Sequence, residues 1–140
     1  MLLFATLPIV VGCSASSTSE PISLNPVRGQ ILVNGKPAVG AIVNFYATSG
    51  DAVNVQPHAV AGADGSFVLS TYKPDDGAPV GDYQVSVLWR VNPDGTPVPP
   101  HDDESQVPDR LKDRYSDPTK SGLTAKVVAG ENTLTPYNLK

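Results

Sequence analysis

Acidic side chains are concentrated in two segments of the chain, and they are the first candidates for chemistry. Asp75 and Asp76 lie in the run YKPDDGAP, and the run HDDES brings Asp102, Asp103 and Glu104 together. Carboxylate oxygens on loops are the hard ligands that Ca²⁺ takes in proteins, so these acids are candidate calcium ligands. Neither run has the D-x-D-x-D-G spacing of an EF-hand, and the alternative is that both acidic loops are simply solvated.

Nucleophilic and zinc chemistry find less support in the residues. The chain has two histidines, His58 and His101, which are far apart in the sequence. No G-x-S-x-G nucleophile elbow occurs, and two isolated histidines do not make a zinc site. We therefore predict that the protein is not an enzyme and needs no cofactor, with calcium as the one exception to test.

The first thirteen residues have the pattern of a lipoprotein leader. Met1 to Gly12 carry no charge and are mostly apolar, and this run is shorter than the about 20 residues that span a bilayer as a helix. It is typical of the apolar part of a secretory signal. Val10-Val11-Gly12-Cys13 resembles the bacterial lipobox, which implies that Cys13 becomes the lipid-bearing N-terminal residue. The alternative is that Cys13 is a buried thiol in an N-terminal strand.

The lipobox resemblance predicts an exported protein that is anchored in the cell envelope. The residue after the predicted lipid-bearing cysteine is Ser14, not Asp. In Gram-negative lipoproteins this resembles the pattern that directs the protein to the outer membrane, which implies that the domain lies on its periplasmic face. Residues 14–25 are predicted to form a flexible tether that reaches roughly 20 Å. Because Cys13 is the only cysteine, no disulfide can form within the chain. Lipidation would also remove a lone thiol from an oxidising compartment.

The composition favours one all-β domain that does not bind nucleic acid. A chain of 140 residues leaves room for one domain after a leader and a tether. Its 12 Gly and 14 Pro indicate many turns and few long helices. A net charge of −4, without a cluster of Lys and Arg, argues against nucleic acid as a partner.

Alternating apolar residues between positions 26 and 140 predict a seven-stranded antiparallel Greek-key sandwich of the immunoglobulin-like kind. Asn34-Gly35 supplies a tight turn after the first strand, and Asp64-Gly65 predicts a hairpin between two short strands. Residues 129–132 are predicted to join the last two strands as a hairpin. Pro136 lacks an amide proton, which places the final strand at a sheet edge. The predicted strands occupy about 27–33, 39–47, 56–63, 67–71, 81–91, 123–128 and 133–139.

The segment from Gly81 to Val91 alternates most regularly and is predicted to be a central strand. Its inward face is predicted to hold Tyr83, Val85, Val87, Trp89 and Val91, and its outer face Asp82, Gln84, Ser86 and Arg90. Tyr83 is expected either to act as a tyrosine corner, whose hydroxyl ties a loop to the sheet, or to be a plain core residue. Trp89 is expected to pack in the core, with a sugar-stacking platform as the alternative.

A long insertion, residues 92–121, interrupts the pattern of strands. Its first half is rich in Pro and acids, and Val107 to Tyr115 could form about two helical turns. Leu111 and Tyr115, four residues apart, would then share the contact face of this short helix.

Several motifs of the domain resemble a known family. The runs VRGQILVNGKPAVGAIVNFY, AGADGSFVLSTY and PVGDYQVSVLW follow the order seen in carboxypeptidase regulatory-like and transthyretin-like (prealbumin-like) domains. The ending DRYSDPTKSGLTAKVVAGENTL resembles small secreted lipoproteins of planctomycete-type bacteria. The transthyretin-like hydroxyisourate hydrolases end in Tyr-Arg-Gly-Ser, whereas this chain ends in Tyr-Asn-Leu-Lys. The resemblance therefore implies the fold and not that activity.

These patterns predict a non-catalytic module of the cell envelope with a structural or protein-interaction role. Its expected partners are the membrane, through the lipid, and an envelope protein or polysaccharide. The alternative is an extracellular ligand-binding domain that takes calcium or carbohydrate through the 92–121 loop, because long loops on rigid β scaffolds often carry function.

Overall fold

Strands make up nearly all of the regular secondary structure in the described residues, in agreement with the all-β prediction. The computed structural model describes residues 21–96, 98, 103 and 106–140. Within them, nine strands and one short 3₁₀ helix, Asp51–Asn54, follow one another. The strands are β1 (Val27–Val33), β2 (Lys36–Pro37), β3 (Ile42–Ala47), β4 (His58–Val60), β5 (Ser66–Val68), β6 (Gly81–Leu88), β7 (Leu123–Val127), β8 (Asn132–Thr133) and β9 (Tyr137–Leu139).

The strands form two sheets that are mainly antiparallel, as in a β-sandwich. One sheet has the order β4-β3-β6-β7, and all its pairs are antiparallel. In the other sheet, β1 pairs antiparallel with β5 and then with β2. β8 and β9 pair with β1 in parallel, so the prediction of purely antiparallel sheets is wrong for this pair of short strands.

The core lies between the two sheets and follows the alternation of the sequence. The side chains of Val43 and Phe45 on β3, and of Val85 and Val87 on β6, are fully buried. Val27 and Ile31 are buried from the β1 side. A half-buried strand shows this alternation because successive side chains point to opposite faces. The predicted inward faces of these three strands are confirmed at these positions.

Gly29 leaves the space that an aromatic ring fills in this core. Gly29 is paired with Phe67 across β1 and β5, and a Cβ on Gly29 would lie 2.3 Å from Cζ of Phe67. The Phe67 ring packs edge-on to Phe45, with 6.4 Å between ring centroids. Phe45 in turn lies 5.6 Å from the ring of Tyr83. The three rings therefore connect β5, β3 and β6 from one sheet to the other.

The hydroxyl of Tyr83 ties a loop to the sheet. It donates a hydrogen bond of 2.7 Å to the carbonyl oxygen of Pro79, four residues upstream, while only 1% of the residue is exposed. This is the contact that a tyrosine corner makes in β-sandwiches. The aromatic cluster of the core therefore also fixes the loop that leads into β6.

The nine strands differ from the predicted seven at two places. Asn34 and Gly35 adopt φ values of 51° and 78°, as a type I′ turn requires, and this turn adds the two-residue strand β2. The last predicted strand is divided into β8 and β9 around Pro136, whose nitrogen cannot donate to the ladder. β9 pairs with β1 alone, at the edge of its sheet, as Pro136 predicts.

The predicted hairpin at Asp64-Gly65 forms only in part: His58 and Ser70 pair as an antiparallel bridge, but the turn also carries the chain from one sheet to the other. Asp64-Gly65 does form a turn, closed by the hydrogen bond from Gly62 N–H to the Ser66 carbonyl. However, β4 before it pairs with β3, and β5 after it pairs with β1. Gly65 has a φ of 78°, and a Cβ there would lie 2.4 Å from the Ile31 carbonyl oxygen, so the turn packs against the end of β1.

The turn at residues 129–132 also changes sheets, because the Asn132 amide donates to the carbonyl of Pro26 beside β1. The expected β7–β8 hairpin is therefore wrong in its pairing. The crossover brings β8 and β9 alongside β1, which explains why these strands run parallel to it.

The predicted helix from Val107 to Tyr115 is absent, and residues 110–116 form consecutive turns. Lys112 and Asp113 have φ values of 55° and 56°, which interrupt any right-handed helix. The carboxylate of Asp109 holds these turns by accepting hydrogen bonds from the amides of Leu111 and Asp113. Leu111 is nevertheless buried, and Tyr115 packs against the core.

This part of the insertion lies along β6 beyond the end of β7. Ser86, on the predicted outer face of β6, is therefore buried and not exposed. The Val87 amide donates to the Tyr115 carbonyl, and the Ser121 hydroxyl donates to the Val85 carbonyl at 2.6 Å. The insertion therefore continues the sheet at this edge, and Ser86 is only 1% exposed.

The contact between Gly29 and Phe67 yields a stability prediction. Gly29→Ala should lower the free energy of unfolding by about 1–3 kcal/mol, because the new Cβ overlaps the Phe67 ring. The penalty should shrink in a Phe67→Leu background, giving a favourable coupling energy in a double-mutant cycle measured by urea unfolding. Gly62→Ala is the matched control, since its Cβ would meet only the Ser66 carbonyl at an ordinary 3.6 Å. Equal losses at positions 29 and 62 would contradict this role of Gly29.

Candidate functional site

An open groove of about 720 Å³ runs along β7, the edge strand of the four-stranded sheet. One side of it is formed by the solvent-facing ends of β6 and β7, and the other by the segment that joins β8 to β9. Concave surfaces with a few convergent polar groups are the usual places where proteins bind ligands and partners. Residues that line this groove include Asp82, Gln84, Thr124, Lys126, Leu134, Pro136 and Tyr137.

The outward backbone groups of β7 are partly capped by side chains. The Thr124 carbonyl oxygen accepts a hydrogen bond of 2.9 Å from the Tyr137 hydroxyl, so it points away from β6. The side-chain amide of Asn132 bonds to both the N–H and the C=O of Val128, each at 2.9 Å. Alternate residues of a strand present their backbone groups to the same side, so Lys126 also presents its N–H and C=O outward.

Lys126 therefore lies between two capped neighbours with its outward backbone groups facing the groove. Its side chain lies on the exposed face of the sheet, where Asp82 is its cross-strand partner on β6. The rim of the groove thus carries one charge of each sign. A free N–H and C=O on a strand edge can pair with the backbone of another polypeptide.

The Tyr137 hydroxyl does not titrate near neutral pH, so it keeps its hydrogen bond to the Thr124 carbonyl. Burial raises the pKa of Tyr137 to about 12. Tyr83 also lines the groove, and burial likewise raises its pKa to about 12. Both hydroxyls therefore remain protonated donors at neutral pH. Leu134 and Pro136 add apolar surface beside Tyr137. The groove can accordingly offer apolar contact, charges of both signs and the outward backbone groups of Lys126 to a partner.

Asp76, one of the predicted calcium ligands, organises its own loop. Its carboxylate accepts hydrogen bonds from the backbone amides of Thr71, Tyr72 and Lys73, at 2.6, 2.9 and 2.7 Å. Burial opposes ionisation of Asp76, but the three hydrogen bonds outweigh that effect and lower the pKa of its carboxyl below the usual value. Asp76 therefore holds the loop that presents Tyr72 to solvent.

Of the other predicted acids, those that the structure describes form no metal-binding cluster with Asp76. Asp75 lies beside it with a φ of 60°, and Asp103 is exposed in the insertion. Asp102 and Glu104 lie outside the described residues. Among the residues that the structure describes, no three His, Cys, Asp or Glu side chains come together in an arrangement that could hold a metal ion. The calcium site stays a prediction.

Asp64 and Trp89 have local contacts that fix the fold. The hydroxyl and the amide of Ser66 hydrogen-bond to the carboxylate of Asp64 and lower the pKa of that group. The Trp89 indole N–H donates to the Val39 carbonyl at 2.8 Å. The Arg110 guanidinium lies 4.4 Å from the centre of the Trp89 ring and stacks on it. Trp89 is half-buried, and the insertion occupies one of its faces.

Three side chains that shape this region were not identified from the sequence. Asn132 and Tyr137 cap the edge of β7, and Asp109 anchors the insertion to β6 through the Trp89 amide at 2.8 Å. The only signal for Asn132 is its place at the end of the run Ala129-Gly130-Glu131-Asn132, where an Asn side chain commonly closes a turn. Tyr137 gave no local signal, because its partner lies on another strand.

The predicted lipid-bearing residue, Cys13, and the leader before it lie outside the described residues. In the part of the chain that the structure describes, no helix combines the length and apolar character that crossing a membrane requires. From residue 21 onward, strand-type pairing begins at Asn25, through a bridge to Ala78.

Comparisons with known proteins show no family. No protein-family model matches the chain, and a search of curated proteins gave no significant match. A 9R-lipoxygenase from Cyanothece PCC8801 is similar with a TM-score of 0.41 and 16% identity over 86% of this chain, which spans 17% of the lipoxygenase. The dioxygenase domain of a dioxygenase carbohydrate-binding protein fusion from the cellulolytic bacterium Streptomyces sp. SirexAA-E gives a TM-score of 0.39 and 23% identity, covering 89% of this chain and 85% of that one. Similarities this weak support no argument about the chain.

The hydrogen bonds of Asp76 yield a pH-dependent prediction. Asp76→Asn should lower the free energy of unfolding at pH 7 by about 1–3 kcal/mol, because charged acceptor bonds are lost. A lowered folded-state pKa stabilises the wild type above the unfolded value of about 3.9, and this stabilisation is lost as the pH falls through the folded pKa. The difference between variant and wild type should therefore shrink between pH 5 and pH 2, as measured by urea unfolding. Asp75→Asn is the control: Asn tolerates the positive φ at this position, so its free energy of unfolding should differ little from that of wild type. A loss for Asp76→Asn that does not depend on pH would refute the stabilising role of the ionised Asp76 carboxylate.

Proposed function

We propose that this chain is an exported lipoprotein, anchored through Cys13, whose β-sandwich is a non-catalytic module that binds another protein of the cell envelope. The observation that carries the proposal is the groove along β7, where Lys126 presents an outward N–H and C=O between two capped neighbours. The resemblance of the sequence motifs to carboxypeptidase regulatory-like and transthyretin-like domains supports the same proposal, and a Greek-key arrangement of the sandwich is part of what is proposed.

The geometry of the groove favours a short contact with the partner over a long added strand. The Thr124 carbonyl and both outward groups of Val128 already bond to Tyr137 and Asn132, so the outward groups of Lys126, with the Thr124 N–H beside them, are those left for a partner's backbone. Tyr137 and Pro136 supply the apolar wall beside this point. A loop or chain end of an envelope protein, hydrogen-bonded at Lys126 and packed against Tyr137, fits this arrangement.

Site-specific photo-crosslinking in intact cells tests the proposal. A benzophenone side chain placed at position 126 or 135, both in the groove, should trap one discrete partner. The same probe at position 36, exposed on β2, should trap none. Discrete products from position 36 equal to those from the groove would contradict the proposal.

A second variant isolates the backbone contact at Lys126. Lys126→Pro removes the outward N–H and leaves the hydrogen bonds from β7 to β6 intact, because proline is tolerated where the N–H faces outward at an edge strand. In a chain with the probe at position 135, this change should reduce the crosslinking yield several-fold. Lys126→Gln, which keeps the N–H and removes the charge, should reduce it less. Equal yields in both variants would show that the backbone of residue 126 makes no contact with the partner.

A further inference from the structure

One end of the sandwich, here called the near end, is the end at which the described chain begins. Pro21, Ile22 and Ser23 share a cavity of about 450 Å³ with Asp51, Ala52, Pro79 and Val80. Asn25 then pairs with Ala78, and its side-chain oxygen accepts a hydrogen bond from the Gly130 amide. The near end therefore consists of residues 21–25, the 3₁₀ helix, the loop 70–80 and the turn 128–131.

The near end carries most of the large hydrophobic side chains that the sandwich exposes. The described residues expose six such side chains, and four of them belong to the near end: Val53 (54% exposed), Tyr72 (62%), Val80 (55%) and Val128 (48%). Val80 and Val128 lie alongside each other, since the next residues inward, Gly81 and Val127, are cross-strand partners. The turns at the opposite end, at Asn34-Gly35, Asp64-Gly65 and Asn92–Thr96, hold none of the six.

The position of Pro21 limits which end can face a lipid attached at Cys13. Eight residue steps separate Cys13 from Pro21, and the predicted tether, if it behaves as a random coil, would span about 15 Å on average over this length. Even fully extended it reaches about 28 Å, little more than the about 26 Å of an eight-residue strand such as β6. The near end can therefore approach the lipid freely, whereas the opposite end could do so only with the segment fully stretched.

We propose that the near end of the sandwich rests on the membrane surface, with Val53, Tyr72, Val80 and Val128 in contact with lipid. This inference depends on the proposed lipidation of Cys13. Exposed apolar groups gain by leaving water, and tyrosine suits the interface because its ring is apolar and its hydroxyl is polar. The loop that presents Tyr72 is already held by Asp76, so little further ordering is needed on contact.

The charges of the near end determine which lipid suits it. Asp51, Asp75 and Glu131 are exposed there, and Lys73 is the cation of the same loop as Tyr72. The excess of carboxylates would be repelled by an anionic surface. The contact is therefore expected on zwitterionic phosphatidylcholine and should weaken when anionic lipid is added.

Paramagnetic relaxation measurements test the orientation directly. Residues 13–140, which retain every described residue, are isotope-labelled and joined through the Cys13 thiol to a maleimide phospholipid in phosphatidylcholine nanodiscs that contain a gadolinium lipid. The amides of residues 53, 72, 80 and 128 should show relaxation enhancements several-fold larger than those of residues 35, 65 and 95. Equal enhancements at both ends, or larger ones at the opposite end, would overturn the proposal.

Surface variants show whether the apolar side chains cause the orientation. The triple change Val53→Ser, Val80→Ser and Val128→Ser should even out the enhancements between the two ends. Val60→Ser is the matched control, because Val60 is 62% exposed on β4 and lies away from the near end. It should leave the pattern unchanged, and a persistent pattern in the triple variant would show that the valines do not hold the contact. Because the lipid is attached chemically, an even pattern counts against this orientation alone, whereas a Cys13 that cells leave unlipidated counts against the proposed function.

Discussion

The packing of the Phe67 ring over Gly29 is the contact on which the rest of the molecule depends. A side chain at position 29 would occupy the place of the ring, and without the ring the path from Phe67 through Phe45 to Tyr83 would be broken. That path joins the two sheets, and its last member fixes the loop before β6 through the Pro79 carbonyl. The near end, the start of β6 and the adjoining part of the groove are therefore positioned by one aromatic cluster in the core.

The edges of the sandwich show a second constraint, because every exposed strand edge invites unwanted pairing. On one side of β6, the insertion continues the sheet beyond the end of β7, held by Asp109 and Ser121. On β7 itself, Asn132 and Tyr137 bond to the outward groups of Val128 and Thr124. These contacts leave a short open stretch at Lys126. An edge protected in this way can make a specific contact without offering a long template for aggregation.

The sequence predicted the features that depend on local pattern. The buried faces of β3 and β6, the turn at Asn34-Gly35 and the edge position of the strand after Pro136 all follow from alternation or from the backbone chemistry of one or two residues. It failed where the pairing is set at long range. Asp64-Gly65 and the turn at 129–132 have hairpin chemistry, but Gly65 packs on Ile31 and Asn132 bonds to Pro26, so each turn changes sheets. The groove could not be predicted, since Tyr137 and Thr124 meet only after that crossover.

Cys13 is proposed to anchor this sandwich at a membrane surface, and this is the central functional claim. The groove along β7 and the apolar near end acquire their proposed roles only if that claim is right. Mass spectrometry of the protein purified from cell membranes, beside a Cys13→Ala variant, tests it most directly. The account predicts a mature chain that begins at a lipid-modified Cys13, and a variant that is neither cleaved there nor lipidated. A chain that keeps Met1 and carries an unmodified thiol at Cys13 would contradict it.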